Sequence, residues 1–172
     1  MKYLKLLVLA ALVAAALAFP DAEYHAVDVA PGLLRFGHVL AERRGVPIHF
    51  HQRDAASTRF PDGHFDLVVS NILFHETSAT HAPAILRECR RVLAAGGAML
   101  HVDVATHPWL LGLADQVMND WQVLWNGEPF WTGFAERDMR EEIVAAGFEA
   151  ANAFADHLVR PGGATYVFGA RA

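Results

Sequence analysis

Short apolar segments alternate with segments of helical periodicity over most of the chain. The strand-like segments cover residues 24–30, 46–54, 65–71 and 98–104. Between them, apolar residues follow helical spacing from Pro31 to Gly45 and again over 81–93, before Gly96-Gly97. Strands that alternate with helices of about 10 to 15 residues predict βαβ units in a mostly parallel sheet. After turn residues at Pro61-Asp62-Gly63, the segment FDLVVSN, residues 65–71, predicts a buried strand.

The C-terminal part of the chain does not follow this alternation of strands and helices. A final helix is predicted over 136–146, ending at Gly147, and strands over 148–154 and 164–170 flank a turn at Pro161-Gly162-Gly163. Because no helix separates these two strands, they are expected to pair antiparallel at one edge. The fold class predicted is therefore α/β, with a doubly wound, mostly parallel sheet and an antiparallel last strand.

Residues 106–133 interrupt this alternation and contain all four tryptophans. Apolar residues at helical spacing, among them Trp121 and Trp125, form a stripe there. Such a stripe is usually core or covering surface. A homodimer contact is another use that such a stripe could serve.

The first 18 residues allow two interpretations. Lys2 and Lys5 precede an apolar run over 6–18 that ends in Ala16-Leu17-Ala18, which is the layout of a secretory signal peptide. The same run could be an alanine-rich helix or the remnant of a first strand and helix. It is shorter than the roughly 20 residues that cross a bilayer, so no stable membrane span is predicted.

Composition narrows the class of protein. A chain of 172 residues with 53% hydrophobic content predicts one principal domain, over 19–172. The formal net charge of −5 argues against nucleic acid as a partner. A single cysteine, Cys89, excludes an internal disulfide and favours a cytoplasmic location, with export as the alternative that the signal-like front leaves open.

Two acids stand where strands are predicted to end. Asp28 closes the first strand just before a helix, and Asp54 follows the second. In doubly wound sheets, ligands bind beyond the carboxyl ends of the strands, and an acid there can accept hydrogen bonds from ribose hydroxyls. Either residue could instead be a simple cap or turn former.

These acids belong to an ordered series of motifs. YHAVDVAPGLL, HQRDA, FPDGHFDLVVSNILFHE and RVLAAGG follow one another along the chain. In this series the chain resembles the class I S-adenosylmethionine-dependent methyltransferases of the small-molecule type, from about residue 19 to 170. The resemblance implies a Rossmann-like fold and an enzyme that transfers a methyl group from S-adenosylmethionine to a small-molecule acceptor.

The resemblance also implies roles for individual residues. Asp28 would hold the ribose and Val29 would pack on the adenine. Asp54 and the backbone of Ala55 would face the adenine edge. Ser70 and Asn71 would lie beside the methionine part of the cofactor. The segment after the fourth strand would roof the substrate pocket, with Trp109 and Trp121 on the substrate side.

His75 and Glu76 are the candidates for substrate chemistry. An imidazole titrates near neutral pH, so His75 could serve as a general base, with Glu76 as a substrate contact. Both could equally be polar residues that open a loop. His75, Glu76 and His81 do not match the H-E-x-x-H zinc spacing, and His49 and His51 share one side of a strand without an evident third ligand, so no metal is predicted.

One departure from the resembled family concerns its glycine-rich loop. No glycine precedes Gly32, whereas such a loop holds the cofactor's carboxylate at a helix start. Losing about three charge-assisted hydrogen bonds would weaken cofactor binding on the order of a thousandfold. A truncated or altered methyltransferase, a non-catalytic methyltransferase-like binding protein and an exported or membrane-tethered protein remain the three explanations.

Overall fold

The structure is a computed structural model that describes residues 4–105, 107, 111–160 and 163–172. The chain divides into two compact units, the first ending at Thr58 and the second beginning at Arg59. Among the described residues, none of the helices is both long enough and apolar enough to cross a membrane.

In unit 1, residues 4–58 form two helices and a two-stranded parallel sheet. Its elements are α1 (Leu4–Ala18), β1 (His25–Asp28), α2 (Pro31–Arg44) and β2 (His49–Gln52). Pro31 stands in the first turn of α2, where its missing N–H costs nothing. Gly45 ends the helix with φ 66°, a left-handed conformation that glycine adopts without strain. The predicted strand, helix and strand are confirmed.

The first of these helices is part of the packing of unit 1. Val13 and Ala16 on α1 are buried, at 5% and 4% exposed. The Tyr24 hydroxyl, just before β1, donates to the carbonyl oxygens of Ala15 at 3.0 Å and Phe19 at 3.1 Å. Residues 4–18 therefore form a helix that has buried side chains in its later turns, and both interpretations of this segment stay open.

The described residues of unit 2 form a four-stranded mixed sheet and four α-helices. The strands are β3 (Phe65–Asn71), β4 (Leu93–Val104), β5 (Ala153–Arg160) and β6 (Gly163–Arg171), in the order β3-β4-β6-β5. The helices are α3 (Ala82–Val92), α4 (Leu113–Trp125), α5 (Trp131–Ala135) and α6 (Met139–Ala145), with a 3₁₀ turn at Phe74–Glu76. β3 runs parallel to β4, while β4–β6 and β5–β6 are antiparallel, which confirms the predicted change of direction.

Two predicted boundaries in unit 2 were wrong. β4 begins at Leu93, directly after α3, so Gly96-Gly97 lie inside a strand and do not separate the two elements. The fifth strand covers 153–160 and not 148–154, because Phe148 instead packs as a buried residue after α6 and residues 149–152 turn. Pro161 and Gly162 of the predicted turn lie outside the described residues.

The two faces of this sheet differ. One face is buried and carries Met99, His101 and Phe168, each at most 2% exposed. The opposite face leaves Leu67 and Val69 at 60% and 57% exposed. The prediction that 65–71 is a buried strand is therefore wrong, because β3 is an edge strand in the described sheet and its Leu67 and Val69 side chains are exposed.

Cys89 lies on the inner face of α3. Burial raises the pKa of its thiol to about 12, so the thiol stays protonated and unreactive at neutral pH.

Candidate functional site

The predicted cofactor residues of unit 1 lie at the carboxyl end of its sheet. Asp28 is the last residue of β1 and is paired in register with Gln52, the last residue of β2. Asp54 follows two residues later. Since parallel strands end at the same edge, the sequence positions of the two acids place both beyond that edge.

Asp28 holds the turn into α2 with one of its two carboxylate oxygens. Its Oδ1 accepts a hydrogen bond of 2.7 Å from the Ala30 backbone N–H. Its Oδ2 has no partner among the residues that the structure describes. Val29, the next residue, is 64% exposed although it is apolar. An acceptor oxygen beside an open apolar side chain suits a ribose and a planar base.

Asp54 and Ala55 form a short turn. The Asp54 Oδ1 accepts from the Ala56 N–H at 2.8 Å, and the Ser57 N–H donates to the Asp54 carbonyl at 3.0 Å. The turn keeps the Asp54 side chain exposed at the edge. The placement of Asp28, Val29, Asp54 and Ala55 agrees with their predicted roles without testing them.

In unit 2, the carboxyl end of β3 leads into a strained residue. Ile72 adopts φ 59°, a left-handed conformation that a β-branched residue rarely takes. Its N–H donates to the Val102 carbonyl at 2.8 Å, which holds it against β4. Strain of this kind persists only where neighbouring contacts over-determine the backbone, and it is frequent at functional sites. Here it turns the chain from Asn71 into the segment that carries His75.

The neighbouring contacts come from Asp103 on β4. Its Oδ2 accepts from the N–H groups of Leu73 at 3.1 Å and Phe74 at 2.7 Å. Its Oδ1 is 2.6 Å from the His75 Nδ1, and both side chains are 1% exposed. Sequence reasoning missed Asp103, although an acid near the end of an apolar strand was the signal that singled out Asp28.

This pairing defines what the His75 imidazole can do. With its Nδ1–H donated to Asp103, the Nε2 keeps a lone pair. The Nε2 is buried without a hydrogen-bond partner among the described residues. Glu76 Oε1 lies 3.9 Å from it, and a Glu128 carboxylate oxygen also lies within 4.8 Å. The structure therefore brings His75 and Glu76, both predicted for substrate chemistry, together in a closed site, and their roles stay predictions.

Trp131 covers this imidazole. The two rings meet edge to face, with centroids 4.9 Å apart, and Trp131 is 6% exposed. Trp121, the predicted substrate contact, is instead 47% exposed on α4, a helix with no buried residue among those described. Trp109 lies outside the described residues. Sequence reasoning could not tell which tryptophan would reach the site, because all four stood in one apolar segment.

Ser70 is already engaged within the sheet. Its hydroxyl lies 2.8 Å from the His101 Nδ1 in the adjacent strand. Burial lowers the pKa of His101 to about 4, although Asp103 opposes the shift. His101 is therefore neutral at pH 7, and the Ser70 hydroxyl is engaged with its ring. Its predicted cofactor role stays a prediction, as does that of Asn71.

Unit 2 also contains an open cleft that the sequence did not indicate. Its volume is about 630 Å³, and its lining includes His107, His157, Tyr166, Arg137 and Arg140. The His107 Nδ1 and His157 Nε2 are 2.8 Å apart. Burial lowers the pKa of both imidazoles. The neighbouring His157 lowers the pKa of His107 further, whereas Asp156 opposes the lowering at His157. The charged lining fits a polar ligand.

Comparison with known proteins agrees with this architecture. The profile of the methyltransferase domain family matches residues 9–97. The demethylmenaquinone methyltransferase of Thermus thermophilus is 36% identical over 89 residues, covering 52% of this chain and 40% of that protein. A ubiquinone/menaquinone biosynthesis C-methyltransferase of Pseudomonas putida is 37% identical over 83 residues, covering 47% of this chain and 32% of that protein.

A solved structure extends the likeness in fold over nearly the whole chain. A SAM-dependent methyltransferase from Methanosarcina mazei superposes with a TM-score of 0.68 at 18% identity, covering 92% of this chain and 85% of the other. The fold is thus the Rossmann-like fold of class I S-adenosylmethionine-dependent methyltransferases. The chain belongs to the methyltransferase domain family, a family of transferases. It spans about two fifths or less of the length of the two curated relatives.

Proposed function

We propose that this chain serves methyl transfer from S-adenosylmethionine to a small-molecule acceptor. The observation that carries the proposal is Asp28, an acid at the carboxyl end of a parallel strand. One of its oxygens has no partner within the described part of the chain, and an exposed Val29 lies beside it. In a member of the methyltransferase domain family, this is where a ribose and an adenine are expected.

The residues of unit 1 fit the adenosine half of the cofactor. The Asp28 carboxylate can accept hydrogen bonds from ribose hydroxyls, and Val29 offers an apolar surface to the base. Asp54 and the Ala55 N–H supply an acceptor and a donor for the adenine edge. Ser70 and Asn71 are proposed for the methionine part through their backbone groups. When bound, the cofactor supplies an electrophilic methyl group on a positively charged sulfur.

His75 is proposed as the general base for the acceptor. Asp103 fixes its orientation and tautomer, so a proton leaving the acceptor would move to the His75 Nε2. Because this nitrogen is buried beneath Trp131, an acceptor reaches it only when the segment around α5 moves. Glu76 and Trp121 are proposed as further substrate contacts, with Glu76 already 3.9 Å from the base.

The proposed acceptor is a planar, ring-bearing small molecule. Support comes from the relatives, whose names refer to demethylmenaquinone and to ubiquinone/menaquinone biosynthesis. The aromatic residues of 106–133 suit a planar molecule, since ring faces stack on one another. A homodimer formed through the same segment is the other proposed use of this surface.

A non-catalytic binding protein is the rival proposal. The observation in its favour is the absence of glycine from residues 1–31, so that no glycine-rich loop of the family's kind can be assigned there. Under this proposal the chain binds the cofactor weakly or not at all, because losing about three charge-assisted hydrogen bonds would weaken binding on the order of a thousandfold.

Calorimetric titration of the full chain with S-adenosylhomocysteine distinguishes the two. We expect saturable binding that Asp28→Asn weakens at least tenfold, since a hydroxyl–carboxylate bond contributes about 1.5 to 3 kcal/mol. Asp21→Asn, an exposed acid of the same unit, is the matched control and should bind like the parent chain. No saturation at millimolar ligand, with the fold intact by circular dichroism, would favour the non-catalytic protein.

The role of His75 is tested separately, by turnover. His75→Gln should lower kcat with little change in cofactor affinity, because the imidazole acts on the acceptor. An unchanged kcat would show that no base is needed at this position.

For localisation, we propose that the protein is cytoplasmic and retains α1. The buried positions of Val13 and Ala16 support this, as does the family profile's start at residue 9, inside α1. Export with cleavage after Ala18 is the alternative. Intact mass of the protein recovered from cells decides: a chain that starts at Phe19 would favour export.

A further inference from the structure

One face of the unit 1 sheet carries several potential metal ligands. His25 on β1 and His49 on β2 are partners in the parallel register, so their side chains stand side by side. His51 lies two residues further along the same face. Glu23 precedes β1 by two residues. Ala26, the next residue of β1, is buried and points to the opposite face.

Distances among the side-chain atoms match a metal centre. Glu23 Oε1 lies 3.0 Å from His25 Nε2 and 3.5 Å from His49 Nε2. One ligand atom from each residue lies within 4.8 Å of the others. Nitrogen and oxygen ligands held 2.0–2.1 Å from a tetrahedral zinc ion stand about 3.4 Å apart. The His25 and His49 rings are stacked with centroids 4.9 Å apart, so the imidazoles must rotate for both nitrogen lone pairs to point at one ion.

We propose that Glu23, His25 and His49 form a zinc-binding site on unit 1. Two imidazoles and a carboxylate are a ligand set that zinc uses in proteins, with a fourth position left for water. The site does not depend on the proposed methyl transfer. Sequence reasoning identified only His49 and His51 as a pair. His25 and Glu23 come close to them because β1 pairs with β2, which places His25 beside His49, 24 residues later in the chain.

His51 acts as a positioning residue. Its Nε2 lies 3.0 Å from the His25 Nδ1, and the two rings stack with centroids 5.2 Å apart. Without metal, a proton on the His25 Nε2 serves the contact with Glu23. When metal takes that nitrogen, the proton belongs on Nδ1, where His51 accepts it. A second partner that fixes ring and tautomer in this way is usual for metal-bound histidine.

The ion would join two short strands. β1 and β2 have four residues each, and a two-stranded sheet is only marginally stable by itself. Because metal bound to the folded state alone stabilises that state, zinc should raise the stability of unit 1. The cluster of His75, Glu76 and Glu128 in unit 2 also places ligand atoms within 4.8 Å, but it has one imidazole and two carboxylates. Nitrogen ligands favour zinc, so unit 1 is the better site.

The test is calorimetric titration of the tag-free, metal-stripped full chain with zinc chloride. We expect one ion per chain with micromolar or tighter affinity. His49→Ala and Glu23→Gln, both at exposed positions, should weaken binding at least tenfold with unchanged circular dichroism. His38→Ala is the matched control: it removes an exposed imidazole beside a carboxylate, Glu42, on α2, and should leave binding unchanged.

The positioning role of His51 is tested by a measurement that a purely structural role would leave unchanged. In the cobalt(II)-substituted protein, His51→Ala should shift the visible absorption bands and weaken binding about tenfold, and His51→Gln, which restores an acceptor, should recover both. Millimolar or absent binding by the parent chain overturns the proposal. So does affinity retained in both His49→Ala and Glu23→Gln, or affinity lost only in Glu128→Gln.

Discussion

The histidines of the two units are held in opposite ways. In unit 1, His25, His49 and His51 lie on one face of the sheet; the His49 side chain is 58% exposed beside Glu23, whereas that of His25 is 12% exposed. In unit 2, His75 and His101 are each 1% exposed, and each has one hydrogen-bonded side-chain partner among the described residues, Asp103 or Ser70.

This difference determines what each imidazole can do. A buried ring with one partner has its tautomer and direction decided by that partner, so His75 can present a lone pair at Nε2. A ring on an open face can exchange partners, and several such rings can share one ion. Residue type alone did not distinguish the two groups. Burial and the nearest acceptor did.

The largest effect is expected from removing the acceptor in the buried arrangement. Asp103→Ala leaves the N–H groups of Leu73 and Phe74 and the His75 ring without their partner in a buried site. We expect the free energy of unfolding to fall by about 3 to 5 kcal/mol. Urea denaturation followed by circular dichroism measures it. Asp120→Ala on the exposed face of α4 is the control, and a loss below about 1 kcal/mol for Asp103→Ala would contradict the anchoring role.

A smaller effect is expected from protonating His101. Burial holds its folded-state pKa near 4, below the ordinary value of 6.5, so the unfolded chain binds more protons between these values. The stability that His101 contributes is therefore full above pH 6.5 and is lost as the pH falls towards 4. The difference amounts to about 3 kcal/mol.

Unfolding free energies of the parent chain and His101→Gln at pH 7 and pH 4.5 measure this loss. The parent should lose more stability on acidification than the variant, which cannot titrate at this position. Parallel pH dependence in the two chains would show that His101 is not the group responsible.

The smallest effect is expected on the open side of the comparison. His38 and Glu42 on α2 form a contact of 3.4 Å, with side chains 59% and 66% exposed. His38→Ala should change the free energy of unfolding by about 0.5 kcal/mol or less, because exposed i, i+4 pairs contribute little and alanine favours the helix. If the free energy of unfolding fell by more than 1 kcal/mol, in low or high salt, the contrast between the exposed and the buried histidines would be contradicted.

Sequence periodicity was sufficient to predict most helices and strands, and to place two candidate site residues at the ends of strands. The alternation of apolar segments predicted β1, α2, β2, β3 and α3 close to their observed bounds, because each is defined by local spacing and by Pro31 and Gly45. The same reasoning placed Asp28 and Asp54 at strand ends. Strand β5 was misplaced, since Phe148 could serve either a strand or the packing after a helix, and only tertiary contacts select between them.

The sequence by itself determined the family, the order of strands and helices, and the two acids at the carboxyl ends of β1 and β2, because these depend on residues close together in the chain. Tertiary structure alone decided that Asp103 holds His75 from 28 residues away, that Trp131 covers it, and that His25 joins His49. Strand pairing and burial bring distant residues within hydrogen-bonding distance, and no local pattern records which of them will meet.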